Sequence, residues 1–157
     1  MNFRSLCVIG AMLFLAACQS SPQSGANTGG TAAATSSVTP GSREDFVQNV
    51  GDRVFFDFDK SNIKPEGEQT LERQAAWLKK YPNVKVTVEG HCDDRGTREY
   101  NLALGARRAN AVKRALVALG IDANRITTIS YGKERPAVIG DNEAAWAQNR
   151  RGVTVVQ

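Results

Sequence analysis

The densest cluster of reactive side-chain types in the chain is residues 89–98, Glu-Gly-His-Cys-Asp-Asp-Arg-Gly-Thr-Arg. Three chemistries can be assembled from it. His91, Cys92 and Asp93 are the types of a base, a nucleophile and an orienting acid. Adjacent residues of an extended chain point to opposite sides, so His91 and Cys92 would not face each other, and a triad depends on geometry rather than adjacency. His91, Cys92, Asp93 and Asp94 are also metal-ligand types. His91 is the only histidine, however, and neither a zinc-type set nor a calcium-type spacing completes around it. The third chemistry is recognition of a charged ligand by Asp93 together with an arginine of the following helix. The plain structural alternatives are a satisfied histidine at a strand end, a small buried cysteine and a solvated arginine pair.

Helix geometry separates the two candidate arginines. At ~100° per residue from Leu102, the residues Leu102, Ala106, Ala109, Val112 and Leu116 gather near −40°, the expected buried face. Arg107 falls near ~140°, in solvent, whereas Arg108 falls near −120° and Asn101 near −100°, both at the edge of the core. Spacing therefore favours Arg108 as the arginine held against the body, with Asn101 two turns earlier, beside the loop of Asp93. An Asp93–Arg108 ion pair of purely structural purpose fits the same spacing.

The elements around this cluster are legible. Residues 53–58 are rich in strand formers. Pro65 opens a helical pattern with Leu71, Ala75 and Leu78 on one face, and Pro82 stops it. Val84, Val86 and Val88 alternate with polar residues, the period of a half-wet strand. Thr97 is a good N-cap for a helix over 97–119, and Gly120 ends it. A third strand over 126–131, a short helix over 142–148 and a closing strand over 152–156 complete the order βαβαβ(α)β. That order predicts an α/β (α+β) two-layer sandwich with helices on a mixed sheet of about four strands. The final strand is the candidate antiparallel member.

The chain is organised as a leader, a tether and one domain. Residues 1–17 carry Arg4 near the amino terminus, then an apolar run over 6–17, well short of the ~20 residues that span a bilayer. The run ends Leu15-Ala16-Ala17-Cys18, which reads as a lipoprotein signal peptide with Cys18 as the lipidated residue. Multiple acyl chains on Cys18 would anchor the mature protein stably. Residues 19–42 hold no charged and no aromatic residue and read as a flexible linker, with a mean reach of roughly 25–30 Å and ~80 Å at full extension. With Cys7 in the leader and Cys18 lipidated, Cys92 is the one remaining cysteine, so an intramolecular disulfide is not expected. Residues 43–157 suffice for one core without disulfides.

Composition narrows the function class. The chain has 157 residues, is 41% hydrophobic and 23% charged, and is therefore neither disordered nor collagen-like. Aromatic residues at 7% are too few for a porin-like barrel with its aromatic girdles. Arg4 is the only charged residue in 1–42, so nearly all of the 20 Lys+Arg and 16 Asp+Glu lie in the domain and make a mixed surface. A net charge of +4 spread this way does not call for a nucleic-acid partner.

Residues 89–112, EGHCDDRGTREYNLALGARRANAV, resemble the peptidoglycan-binding signature of the OmpA-like domain family. FFDFDKSNI at 55–63, ISYGKERPAV at 129–138 and WAQNRRGVTV at 146–155 match further blocks in the right order. With the lipobox and linker, the whole chain is similar to the lipoprotein branch of that family that works in the Tol–Pal system. The resemblance implies a non-enzymatic outer-membrane lipoprotein, its domain facing the periplasm, that binds peptidoglycan through meso-diaminopimelate stems and takes no cofactor. It implies TolB and other Tol proteins as partners, and Gln19 after the lipidated cysteine favours the outer membrane. The family's key aspartate and arginine correspond to Asp93 and Arg108, in agreement with the helix-face argument. Asp93 would pair with the ligand's ammonium and Arg108 would fork onto its carboxylate. The same resemblance brings in Phe58, Asp59 and Asn101, with Thr97 and Leu104 as pocket edges.

Two departures stand out: Cys92 and Asp94 where the family usually has Ala and Glu, and Ala106 where Glu or Gln is common. Flagellar stator proteins and porins share such a domain, but the sequence places no spanning segment or barrel strands ahead of it. The rivals of another class are a Cys92-dependent hydrolase and a module that binds TolB without binding the wall.

Overall fold

The computed structural model describes residues 38–157. The leader, the lipidation site at Cys18 and the linker up to residue 37 lie outside the described residues. The first element is one the sequence reading did not anticipate. Helix α1 (Arg43–Asp45) is capped by Ser42, whose Oγ accepts from the Asp45 amide at 3.1 Å, and it runs into a π-helical turn, Phe46–Val50. Phe46 is fully buried edge-on against Trp77, with ring centroids 4.9 Å apart. Trp77 Nε1 donates to Asp45 Oδ2 at 2.8 Å. Bonds from Asn49, Gly41 and Trp77 hold the Asp45 carboxyl down to about 2, so this knot stays charged and intact well into acid.

The remaining elements are β1 (Arg53–Phe55), α2 (Pro65–Lys80), β2 (Val86–His91), α3 (Arg98–Ala118), a 3₁₀ turn (Ala123–Arg125), β3 (Ile126–Gly132), α4 (Glu143–Asn149) and β4 (Arg151–Val156). The architecture is the α/β two-layer sandwich expected. β1 is shorter than the 53–58 of the sequence reading, while β2 runs past Glu89 to His91, with a register shift between Gly90 and His91.

The sheet order is β1-β4-β2-β3. β4 inserts between β1 and β2, antiparallel to both, and β2 pairs with β3 in parallel. The one directly paired crossover is thus β2–α3–β3, and the β1–α2–β2 connection spans the slot that β4 fills.

One face of the sheet carries α2 and α3. Gln74 of α2 accepts from Thr154 Oγ1 at 2.9 Å, and Leu71, Leu78, Val86, Val88, Val112 and Leu116 fill the space between layers. Each such buried aliphatic side chain contributes roughly 1.5–3 kcal/mol relative to exposure. Backbone meets backbone where α3 crosses β2. A Cβ on Gly90 would lie 1.8 Å from the Gly105 carbonyl oxygen, so only glycine fits there. This contact sets α3 directly above the end of β2 and therefore above the loop that carries Asp93.

Candidate functional site

The site gathers at the carboxyl end of β2, the amino end of α3 and the loop after β1. Thr97 caps α3, its side-chain oxygen accepting from the Tyr100 amide at 3.2 Å. Asn101 is 1% exposed and ties the loop to the helix, donating through Nδ2 to the carbonyls of Arg95 (2.8 Å) and Thr97 (3.0 Å).

Arg108 lies deeper than the sequence reading placed it. It is 1% exposed and sits within the buried face of α3 rather than at its edge. The buried set Asn101, Leu104, Gly105, Arg108, Ala109, Ala111, Val112 and Leu116 centres roughly 50° away from the predicted stripe, at ~100° per residue. Leu102 and Ala106, predicted core, are only half-buried. The rotation follows from hydrogen bonding, because Asn101 and Arg108 find backbone partners inside. Arg108 Nε donates to the Lys60 carbonyl (2.9 Å), Nη1 to that of His91 (2.9 Å) and Nη2 to that of Asp57 (3.0 Å). Its guanidinium also lies 5.2 Å from the Phe56 ring centroid. Burial lowers its pKa, but an arginine so placed remains a cation. Three of a guanidinium's five N–H donors are thus engaged.

The structural ion pair between Asp93 and Arg108 is not what forms. Asp93, 4% exposed, accepts instead from Arg95 Nη2, and Arg150 Nη1 approaches the same oxygen at 3.4 Å. The Arg95 guanidinium is stacked between two rings, 3.9 Å from the Phe58 centroid and 4.0 Å from that of Trp146, and Asp93 raises its pKa further. Arg150 is anchored in turn by donating from Nε to the Phe56 carbonyl (3.0 Å) and from Nη2 to Glu143.

Phe58, Asp59, Asp93, Arg95, Asn101 and Leu104 line a pocket of about 160 Å³ that Gly96 and Tyr100 complete. Asp59 holds φ +56°, a left-handed backbone that non-glycine residues adopt rarely, and accepts from the Tyr100 hydroxyl. That bond raises the Tyr100 pKa. The pocket so offers a buried carboxylate, an aromatic ring that is 55% exposed and a second, exposed carboxylate. Arg108 lies behind it, fixing both loops of its wall through their carbonyls.

Of the residues singled out from sequence, Asp93, Asn101, Asp59, Phe58 and Leu104 come together here, and Arg108 supports them from below. Thr97 does not line the pocket and serves as the helix cap. Cys18 lies outside the described residues. Sequence reasoning missed Arg95, Tyr100, Trp146 and Arg150. Arg95 lay inside the polar cluster and Trp146 and Arg150 lay inside the block at 146–155, but spacing alone gave no reason to bring them to Asp93.

His91 and Cys92 diverge. The Cys92 thiol is buried, donates to the Asn101 carbonyl at 3.4 Å, and is pushed up by desolvation. The His91 ring faces the other side of the sheet, near Glu89 (3.4 Å) and Tyr131. Burial, and then the charges of Arg151, Arg135 and Arg53, push His91 down to about 4, so it is neutral at pH 7. Among the described residues no three His, Cys, Asp or Glu side chains form a metal-holding group.

The sequence profile of the OmpA family matches residues 55–150, and the chain belongs to that family. Within it, proteins named peptidoglycan-associated lipoprotein are similar over most of their length. One from Rhizobium meliloti is 53% identical over 144 residues, 92% of this chain and 82% of that protein. One from Agrobacterium fabrum is 59% identical over 120 residues, 76% of this chain and 68% of that protein. Among solved structures, the peptidoglycan-associated lipoprotein from Burkholderia pseudomallei superposes with a TM-score of 0.66 at 44% identity, over 68% of this chain and 90% of that one. The C-terminal domain of Helicobacter pylori MotB does so with 0.63 at 26% identity, over 68% of this chain and 84% of that one.

Proposed function

We propose that this protein is an outer-membrane lipoprotein, anchored through acylated Cys18, whose domain faces the periplasm and binds peptidoglycan non-covalently through meso-diaminopimelate stems. The observation that carries this reading is the convergence of buried Asp93 with Phe58, Asp59, Asn101 and Leu104 in one pocket backed by Arg108. The names of the relatives point the same way. The free end of diaminopimelate is an amino-acid zwitterion. Asp93 would take its ammonium, displacing Arg95, and an unengaged N–H of Arg108 would take its carboxylate. Among the described residues no helix is long and apolar enough to cross a membrane, which fits attachment by acyl chains. The role is a non-catalytic one: the Cys92 thiol is protonated and buried, and His91 is turned away from it. A place in the Tol–Pal system, with TolB and other Tol proteins as partners, follows from the same likeness.

The test is co-sedimentation of the non-acylated chain from Gln19 onward with diaminopimelate-type and lysine-type sacculi. Wild type is expected to pellet with the first. It should pellet more weakly with the second, which lacks the terminal carboxylate. Asp93→Ala, folded by circular dichroism, is expected to stay in solution. Wild type left in the supernatant, or Asp93→Ala pelleting like wild type, would overturn the reading. The first of those outcomes would leave TolB binding as the account of the domain.

A further inference from the structure

A cavity of about 350 Å³ lies away from the Asp93 pocket. It opens on the sheet face opposite α2 and α3, beside α1 and the π-helical turn. Gly152 and Thr154 of β4 face α3 and α2, through Val112 and Gln74, so Arg151, Val153 and Val155 face the other way. The register places Arg53 and Glu89 on either side of Val153, and Phe55 beside Arg151. Arg43 and Arg135 complete the rim.

Arg151 is the anomaly. It is 8% exposed, yet no carboxylate lies within salt-bridge distance of it among the described residues. Its hydrogen bonds are two long ones to carbonyls, Nη1 to Asn149 at 3.4 Å and Nη2 to Arg135 at 3.2 Å. A buried cation without a counter-charge is costly. Two acids line the same cavity without reaching Arg151: Asp52 is paired with Arg53 at 2.8 Å, and Glu89 lies 3.4 Å from the neutral His91 ring. Among the described residues Arg135 also has no carboxylate partner, and its guanidinium lies 3.7 Å from the Tyr131 ring centroid. A second orphan sits on the same face: His91, 2% exposed, has no partner for Nδ1. Phe46 and Val47 form an apolar wall, which strengthens any charge interaction inside.

We propose that this cavity is a second ligand site, distinct from the Asp93 pocket, that binds an oxyanion (a carboxylate or a phosphate) on the forks of Arg151 and Arg135. Guanidinium groups match both oxyanions bidentately, and a bound oxyanion would give Arg151 the direct ion pair it lacks. This proposal does not rest on wall binding.

The test titrates the isotope-labelled full chain, in micelles of neutral headgroup, with inorganic phosphate and separately with glutarate at pH 7 and constant ionic strength. Saturable shifts are expected at the Nε–H signals of Arg151 and Arg135 and at the His91 imidazole, with none at Arg107 on the outer face of α3. Arg135→Gln, an exposed substitution, should weaken the response about 10-fold, the worth of one charged hydrogen bond. Arg151→Gln should abolish it, and the Arg135 variant carries the test if the Arg151 variant does not fold. Saturation by phosphate alone or by glutarate alone identifies the oxyanion. Unsaturable drift with both, or saturation unchanged in Arg135→Gln, would overturn the proposal.

Discussion

Arg108 and Arg151 are both buried, and among the described residues neither has a carboxylate within salt-bridge distance, yet they live in opposite circumstances. Arg108 spends three donors on carbonyls at 2.9–3.0 Å, from the loop after β1 and from the end of β2. Arg151 has two bonds, at 3.4 and 3.2 Å, and borders open volume. The first is fixed by its acceptors and organises the pocket, with two donors to spare. The second is a charge that the fold holds in place and does not neutralise. Burial of an arginine therefore does not state its purpose; the quality of its acceptors does.

Arg108→Ala should have the largest effect. It orphans three carbonyls and empties a guanidinium-sized space, so urea denaturation should show a loss of about 3–5 kcal/mol. Amide exchange of Asp57–Lys60 should rise with it. A loss within 1 kcal/mol would break the contrast.

His91 joins the two arginines, since its carbonyl accepts from Arg108 and its ring lies in the field of Arg151. Its pKa is depressed from 6.5 to about 4, so the unfolded chain takes up the proton first on acidification. Stability should then be full above pH 6.5 and fall by about 2–3 kcal/mol as pH drops to 4. Urea midpoints measured across that range should follow this slope, and His91→Asn should flatten it.

Arg151→Gln should have the smallest effect on stability. Removing an uncompensated buried charge should leave the unfolding free energy within about 1 kcal/mol of wild type, on the stabilising side. It should also raise the His91 pKa, read from the imidazole carbon shift. A loss as large as that of Arg108→Ala would show that the two arginines do the same job.

The contrast also explains what the sequence could disclose. The sandwich was legible because its strands alternate and its helices carry caps and stops, as at Thr97 and Gly120. The buried face of α3 was misplaced because periodicity assigns polar residues outward, whereas Asn101 and Arg108 are drawn in by carbonyls supplied from residues far away in the chain. Helix α1 escaped because three residues and a π-turn carry no period, although Ser42 followed by Asp45 is a capping pattern. Asp93 could be picked from the cluster, but its occupation by Arg95 and Arg150 could not, since Trp146 and Phe58 must first be brought together to hold Arg95.

The grip of Arg108 on the carbonyls of Asp57 and Lys60 has a mechanical consequence. If the chain is held to a membrane at Cys18 and to the wall at the pocket, as proposed, tension would enter through α1 and β1. It reaches Phe58 and Asp59 within three or four residues of leaving the sheet at Phe55. From there it crosses to Asp93 at the end of β2 and to Arg108 of α3, so the load path leaves out α2 and β3. Two short stretches would carry the strain: the three-residue antiparallel pairing of β1 with β4, loaded in shear, and the loop clamped by Arg108. The rest of the molecule would hang from that line as ballast and stay folded while the line is pulled.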